Sequence, residues 1–345
     1  MTVMMKRYIQ VGTGGFGRYW CRGIYPKIAQ VAVPVAAADC NAQALENAVE
    51  YLGLSPQVCY TSAVEAMERH PADFVVVVVP PQFHEEIIDA AIAHGLDIVC
   101  EKPLADTMEG CMRIYHKVKA AGRKLVVTMS HRFEVEKQTV EAMVKGGRYG
   151  KLNYLVSRLT MKRGDQQLGD RDPAQMISGG LIHNLDTARG ICGCNAATVY
   201  ADCWNFVDDD GTGGVGGMVQ MVMENGVRCS FEESFGNATT LNKWSDEYFR
   251  AECADGTIVA DNRKVTVENH RGYPFPVKAE VPLCAAPYWD HSRIVREFLS
   301  WLDGGNPPAT QLEDNLQCCA MVFAAIESAK TGKAVDVQAF LRRYL

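Results

Sequence analysis

This chain has no apolar stretch long enough to cross a bilayer. Its longest apolar run, Phe74 to Pro81, falls far short of the roughly 20 residues that a transmembrane helix needs. A surplus of positive charge is missing as well: 35 Lys and Arg stand against 41 Asp and Glu, a formal net charge of -6. That balance leaves no basic footprint for nucleic acid or an anionic membrane. Paired cysteine spacing is absent too. The 13 cysteines are odd in number and scattered, which argues against a disulfide framework and for reduced, cytoplasmic thiols. Cys192-Gly193-Cys194 and Cys318-Cys319 are close in sequence, but a lone Cys-x-Cys without a second pair does not make a metal site. They read as small buried hydrophobes, and no metal is expected. A strand read at Tyr8 to Val11 leaves no room ahead of it for a signal peptide. There is no internal repeat, low-complexity tract or long linker.

What remains is a globular chain of ordinary composition, 345 residues long with 48% hydrophobic and 22% charged residues, a length that suggests two domains. The first part alternates strands and helices. Apolar runs at Tyr8 to Val11, Val31 to Ala38, Phe74 to Val79, Asp97 to Cys100 and Leu125 to Met129 read as strands. The almost pure valine of Phe74 to Val79 fits a strand buried on both faces. Between them, Asn41 to Leu52, Glu85 to His94 and Met108 to Ala121 have helical composition, and Gly95 and Gly122 follow the last two as C-caps. The βα order implies a doubly wound parallel sheet. From Lys151 the pattern changes to strands read at Lys151 to Lys162, Thr198 to Val207, Gly216 to Glu224, Val227 to Phe235, Phe249 to Cys253 and Lys264 to Glu268. Their alternation and the Glu224-Asn225-Gly226 turn predict a large, mainly antiparallel sheet with one covered face. Two helices, from Asp290 to about Leu302 and from Glu313 to Lys330, are expected to close this α+β domain. The division expected is therefore residues 1–128 and 129–345.

Gly12-x-Gly14-x-x-Gly17 follows a strand and opens a helix, the setting in which this pattern reads as a dinucleotide-binding, Rossmann-type turn. Gly12 permits the tight turn, Gly14 lets backbone amides approach a pyrophosphate, and Gly17 allows close helix–strand packing. Asp39 ends the second strand about 20 residues further on, where an acid can bond the ribose hydroxyls and repel a 2′-phosphate. Neither Cys40 nor Asn41 supplies an arginine for that phosphate, so NAD is favoured over NADP. The alternative for Asp39 is a turn residue or helix cap. Glu101-Lys102-Pro103 ends the Asp97 to Cys100 strand and puts Lys102 at the sheet edge where open α/β folds bind ligands.

These features together resemble the Gfo/Idh/MocA oxidoreductases, over nearly the whole chain. The likeness rests on the glycine turn, Pro80-Pro81-Gln82-Phe83-His84, Ala91 to Gly95 before Glu101-Lys102-Pro103, Arg132-Phe133 after the sixth strand, Gly147-Arg148-Tyr149-Gly150-Lys151, and Ser328 to Lys333. The resemblance implies a cofactor site of Gly12, Gly14, Gly15, Phe16, Gly17, Asp39, Pro80, His84, Glu101 and Lys102, and a cis Lys102-Pro103 bond. His84 either lines the cofactor side or caps the helix after it. The family's Asp-x-x-x-His-x-x-Asp matches here as Gly179 to Asp186, with His183 and Asp186 in place and Gly179 where the first Asp stands. Asp172 is the nearby carboxylate that could replace it.

The activity implied is hydride transfer between a nicotinamide and a polyol, sugar or sugar derivative, with a homodimer or homotetramer as the assembly. A histidine suits the accompanying proton transfer because its pKa lies near working pH, so His183 is the candidate base. Lys102 would polarise the reacting oxygen. The bland readings are a buried helix histidine and a loop lysine, although Pro103 argues for a fixed backbone at Lys102. Arg132 and His131 could reach substrate. Lys162, Arg163 and Asp165 could contact it or coat a loop, and Trp289 could form a sugar-binding wall or pack in a core. Two other readings stand beside the dehydrogenase: an NAD-retaining, redox-neutral glycosidase or lyase, and a non-catalytic NAD-binding regulator. The presence of both Lys102 and His183 counts against the regulator.

Overall fold

The computed structural model describes residues 5–162, 172–207, 213–269 and 277–345. Arg163 and Asp165 lie outside the described residues. The chain divides into two compact units, Met1–Met129 with Tyr288–Leu316, and Ser130–Pro287 with Gln317–Leu345.

In the first unit, strands β1 (Lys6–Val11), β2 (Ala32–Ala38), β3 (Cys59–Tyr60), β4 (Phe74–Val77), β5 (Asp97–Cys100) and β6 (Leu125–Val127) form one sheet in the order β3-β2-β1-β4-β5-β6. Every pairing is parallel. The order reverses at β1 and β4, so ligand chemistry is expected beyond the carboxyl ends of those two strands. Strand β4 is buried throughout, as its valines require. Helices Ala63–Arg69 and Met108–Ala120 start where a hydroxyl takes a free amide, Ser62 from Glu65 N and Thr107 from Gly110 N. The helix His84–Ala93 stops at Gly95, whose φ of +71° only glycine adopts cheaply.

The segment Tyr288–Leu316 belongs to this unit rather than to the second, which corrects the single cut expected near residue 129. Long-range packing decides it. Helix Asp290–Leu302 buries Phe298 edge-on against Phe74, ring centres 5.6 Å apart. Lys27 pairs with Asp290 at 2.7 Å. Val127 N donates to Thr310 O at 3.0 Å, and Gln311 bridges to Val126.

In the second unit, strands β7 (Leu152–Lys162), β8 (Ala196–Val207), β9 (Gly213–Met223), β10 (Arg228–Asn237), β11 (Tyr248–Cys253), β12 (Gly256–Asp261), β13 (Lys264–Asn269), β14 (Val277–Val281) and β15 (Val335–Asp336) form a sheet in the order β14-β13-β12-β11-β7-β10-β9-β8-β15. It is antiparallel except where β7 and β10 run parallel. Strand β9 alternates as a half-covered strand should: Val219, Met221 and Met223 are buried, while Met218 and Val222 are exposed. Helices Val135–Lys145 and Ile182–Cys192 pack on the covered face, and Asn184 Nδ2 donates to Ser157 Oγ of β7 at 2.7 Å.

Among the described residues no helix is long and apolar enough to cross a membrane, and no His, Cys, Asp and Glu cluster could hold a metal ion. All 13 cysteines are free thiols.

If Phe298 is core to the first unit, Phe298→Ala should destabilise it by about 3–5 kcal/mol. Denaturant titration checks this. A loss under about 1 kcal/mol would mean that the returning helix is only loosely docked.

Candidate functional site

The glycine turn is built by close approach. A Cβ at Gly12 would stand 2.0 Å from Val78 O, and one at Gly17 would stand 2.4 Å from Gly12 O. Glycine is therefore required at both places for β1, β4 and the first helix to meet. At Gly15, with φ +46°, a Cβ would meet nothing within 4 Å; the turn is open on that side. Asp39 clasps the turn from the end of β2. Its Oδ2 accepts from Thr13 N at 2.8 Å and Gly14 N at 3.0 Å, and its Oδ1 from Asn41 N at 2.9 Å. Thr13 Oγ1 also lies 3.4 Å from Oδ2, so of the roughly four acceptor positions of a carboxylate the one left is on Oδ1. Phe16 is exposed over the turn and stacks on Tyr19 at 5.5 Å.

Glu101 is buried at the end of β5. Trp20 Nε1 donates to its Oε1 at 2.8 Å, Lys102 N to its Oε2 at 3.2 Å, and His291 Nε2 lies 3.3 Å from Oε1. Burial pushes this carboxyl up, but His291 and Trp20 outweigh it and hold the group below its ordinary value. The anchored Glu101 carries Lys102 into the cis Lys102-Pro103 bond, with Lys102 half-buried and Leu104 buried behind it. His84 does not line a cavity. It is fully buried, with Nε2 2.9 Å from Val79 O and Nδ1 3.1 Å from Leu104 O, so it ties the end of β4 to the Lys-Pro loop. Burial lowers its pKa. Pro80 is exposed beside it. Trp289 is part-exposed, with Lys27 Nζ 4.8 Å from its ring centre.

In the second unit His183 stands near the start of helix Ile182–Cys192, just after a π-helical turn, Ile177–Leu181. It stacks flat on His131, ring centres 3.7 Å apart and planes 11° from parallel. Trp244 meets both rings edge-on, at 5.1 and 5.5 Å. Behind His131, Glu247 Oε1 lies 2.7 Å from Nδ1, and Glu247 Oε2 accepts from Lys137 Nζ. Burial would raise the Glu247 pKa, but Lys137 and His131 hold it well below the usual carboxylate range. Arg132 and Arg189 both approach Asp186 Oδ1, at 3.6 and 3.7 Å. Gly190 makes room for the first of them, since a Cβ there would be 2.7 Å from Arg132 Nε. Arg132 thus lies along the helix that bears His183.

Gly179 is exposed and a Cβ on it would meet nothing within 4 Å. Gly180 covers Glu233, whose Oε1 would be 1.9 Å from a Cβ. Asp172 is engaged elsewhere: it pairs with Lys330 at 3.0 Å and accepts from Ala174 N at 3.0 Å.

Residues 6–129 match the model of an oxidoreductase family with an NAD-binding Rossmann fold, GFO_IDH_MocA. Uncharacterized protein y4oX of Sinorhizobium fredii is 36% identical, with 99% of this chain and 98% of that protein aligned. The chain belongs to the Gfo/Idh/MocA oxidoreductase family. An inositol 2-dehydrogenase of Burkholderia ambifaria is 31% identical over 55% of this chain and 56% of its own length, so the chain aligns with about half of that relative. Among solved structures, an oxidoreductase from Agrobacterium radiobacter in complex with NAD+, L-tartaric acid and magnesium superposes with a TM-score of 0.80 at 20% identity, covering 97% of this chain and 99% of that one. At that identity the likeness concerns the fold.

Within this Gfo/Idh/MocA frame, the first unit gathers the glycine turn, Asp39, Glu101 and Lys102 along the carboxyl ends of its strands, and the second gathers Arg132, His183 and Asp186. Trp20, His291, Trp244, Glu247 and Lys137 escaped the sequence reading as site residues. Their only signal was a polar or aromatic residue in an unpatterned segment, and their partners lie far off in sequence: Glu247 stands 116 residues from His131, and His291 reaches back to Glu101.

Glu247→Gln leaves Lys137 buried without its counter-charge and should cost about 3–5 kcal/mol near neutral pH. The folded Glu247 pKa is depressed, so its contribution is present above the unfolded value of about 4.3 and is lost as pH falls through the folded value. Stability against pH, measured by denaturation, should fall in acid for the parent and show a smaller slope in the variant. Parallel curves would remove Glu247 from the acid response.

Proposed function

We propose that this oxidoreductase transfers a hydride between NAD and a CH–OH carbon of a polyol, sugar or sugar derivative. The observation that carries the reading is Lys102, borne on an anchored cis Lys-Pro loop at the strand ends beside the sheet's reversal point. Gly12, Gly14 and Gly17 fit a dinucleotide, because the turn is tight at Gly12 and Gly17 and open at Gly15. Asp39, with acceptor capacity left, would take the ribose hydroxyls and disfavour a 2′-phosphate.

The bound dinucleotide would accept or return the hydride. The chain's part is the proton and the charge. Lys102 Nζ would donate to the substrate oxygen and steady the negative charge that develops there. His183 would take the hydroxyl proton in oxidation and return it in reduction. Its Nδ1 is shielded from solvent, and Nε2 would be the atom that makes the transfer. Asp186 would orient the helix through Arg132 and Arg189 rather than move a proton. The ion pair of Asp172 with Lys330 favours a structural role, with a side-chain-free position at Gly179. Trp289 is an exposed aromatic that would pack on the apolar face of a sugar. Tyr200, Trp204, Met218 and Val222, exposed on the second sheet, support pairing with a second copy of the chain.

Reduced-nicotinamide absorbance across polyols, aldoses and uronic acids, with NAD+ and NADP+ in parallel, tests this directly. Steady NADH formation is expected with one compound class. Silence from NAD-binding protein would favour a redox-neutral glycosidase or lyase, a reading to which the bare Gly179 position also lends itself. Lys102→Ala should lower turnover by about 100-fold or more with little change in NAD affinity. Unaltered turnover would take Lys102 out of the mechanism. Asp39→Ala should narrow the preference for NAD over NADP; an unchanged ratio would assign that preference to another residue.

A further inference from the structure

Two imidazoles stacked face to face are an uncommon support for a histidine that must gain and lose a proton, because two charged rings at that spacing would repel. His131 and His183 are so stacked, at 3.7 Å and 11°, and both are buried. What surrounds His131 decides which ring takes the charge. A carboxylate accepts hydrogen bonds and donates none, so His131 Nδ1 carries the hydrogen that it shares with Glu247 at 2.7 Å. Nε2 of a neutral ring then accepts from Ser245 Oγ at 3.1 Å. Lys137, equally buried, already matches the negative charge of Glu247, so the hydrogen bond that a neutral His131 donates is enough to complete the group. Its face stays neutral and electron-rich, a surface that favours a cation laid on it. Trp244 edges close on both rings.

We propose that His131, held by Glu247 and Ser245, is a positioning residue that fixes the ring plane of His183 and stabilises the charge His183 gains with a proton. The proposal rests on the reading of His183 as the proton-transfer group. Most other charges packed on this helix face a counter-charge. Asp186 faces Arg132 and Arg189, Glu134 and Glu136 face Arg263, Glu141 faces Lys145, and Glu233 lies beneath Gly180.

His131→Leu fills the space without a π face, and His131→Phe restores a flat ring. The titration of the His183 ring, followed by NMR of its Cε1–H and assigned by its loss in His183→Gln, reads the coupling without any substrate. The midpoint should fall by about one pH unit in His131→Leu and return most of the way in His131→Phe. If His131→Leu does not fold, His131→Asn, which keeps a donor for Glu247 and drops the ring, takes its place. A midpoint unmoved in the ringless variant, or equal shifts in Leu and Phe, overturns the proposal. Turnover of His183→Gln, on whichever compound the substrate panel identifies, keeps the two ideas apart. A shifted midpoint with full turnover upholds the stacking and removes His183 from catalysis; an unmoved midpoint with turnover lost upholds His183 and removes His131.

Discussion

A carboxylate taken out of water must be given donors, and Glu101 draws them from three separate parts of the chain. Trp20 comes from the first helical stretch, the amide of Lys102 from the loop itself, and His291 from a segment nearly two hundred residues later in sequence. That requirement fixes Lys102 at the end of β5 and adds a polar tie to the apolar and backbone contacts that dock Tyr288–Leu316 on the first sheet. The Lys-Pro loop is gripped from its other side by His84, whose ring spans the carbonyls of Val79 and Leu104. Position, more than any unusual reactivity of the lysine, is what the first unit supplies.

The second unit solves a similar problem with different parts. Glu247 and Lys137 bury opposite charges together, and His131 completes the set. Buried ion pairs contribute little net stability beside an apolar alternative, yet breaking one is costly. Their value here is geometric: three groups with fixed directions leave the His131 ring one orientation, and His183 lies flat against it. Asp186 with Arg132 and Arg189 performs the same service one turn further along the helix.

Much of this was legible beforehand. The glycine turn, the valine strand β4, the Glu-Lys-Pro motif and the change to long alternating strands near residue 151 all follow from local rules of backbone sterics and face periodicity, and the α/β plus α+β architecture emerged as expected. Short or weakly patterned elements were not visible. Strand β3 has two residues and β14 is exposed along most of its length, so neither carries an apolar signature. The parallel pairing of β7 with β10 could not be foreseen, since it depends on which strands become neighbours. His84 was placed on the cofactor side by its motif, whereas its burial comes from Cys100, Val79 and Leu104 closing round it.

The sequence by itself determined what needs only neighbours within a few residues: where several helices stop, which strand is buried on both faces, and where glycine is obligatory. Only the tertiary structure decided how the charges are matched, that Tyr288–Leu316 serves the first unit, and that a second histidine lies against the first. The physical reason is that a buried charge constrains the number and kind of its partners without naming them. Any distant donor of the right shape would serve, and the packing of the whole unit selects which one arrives.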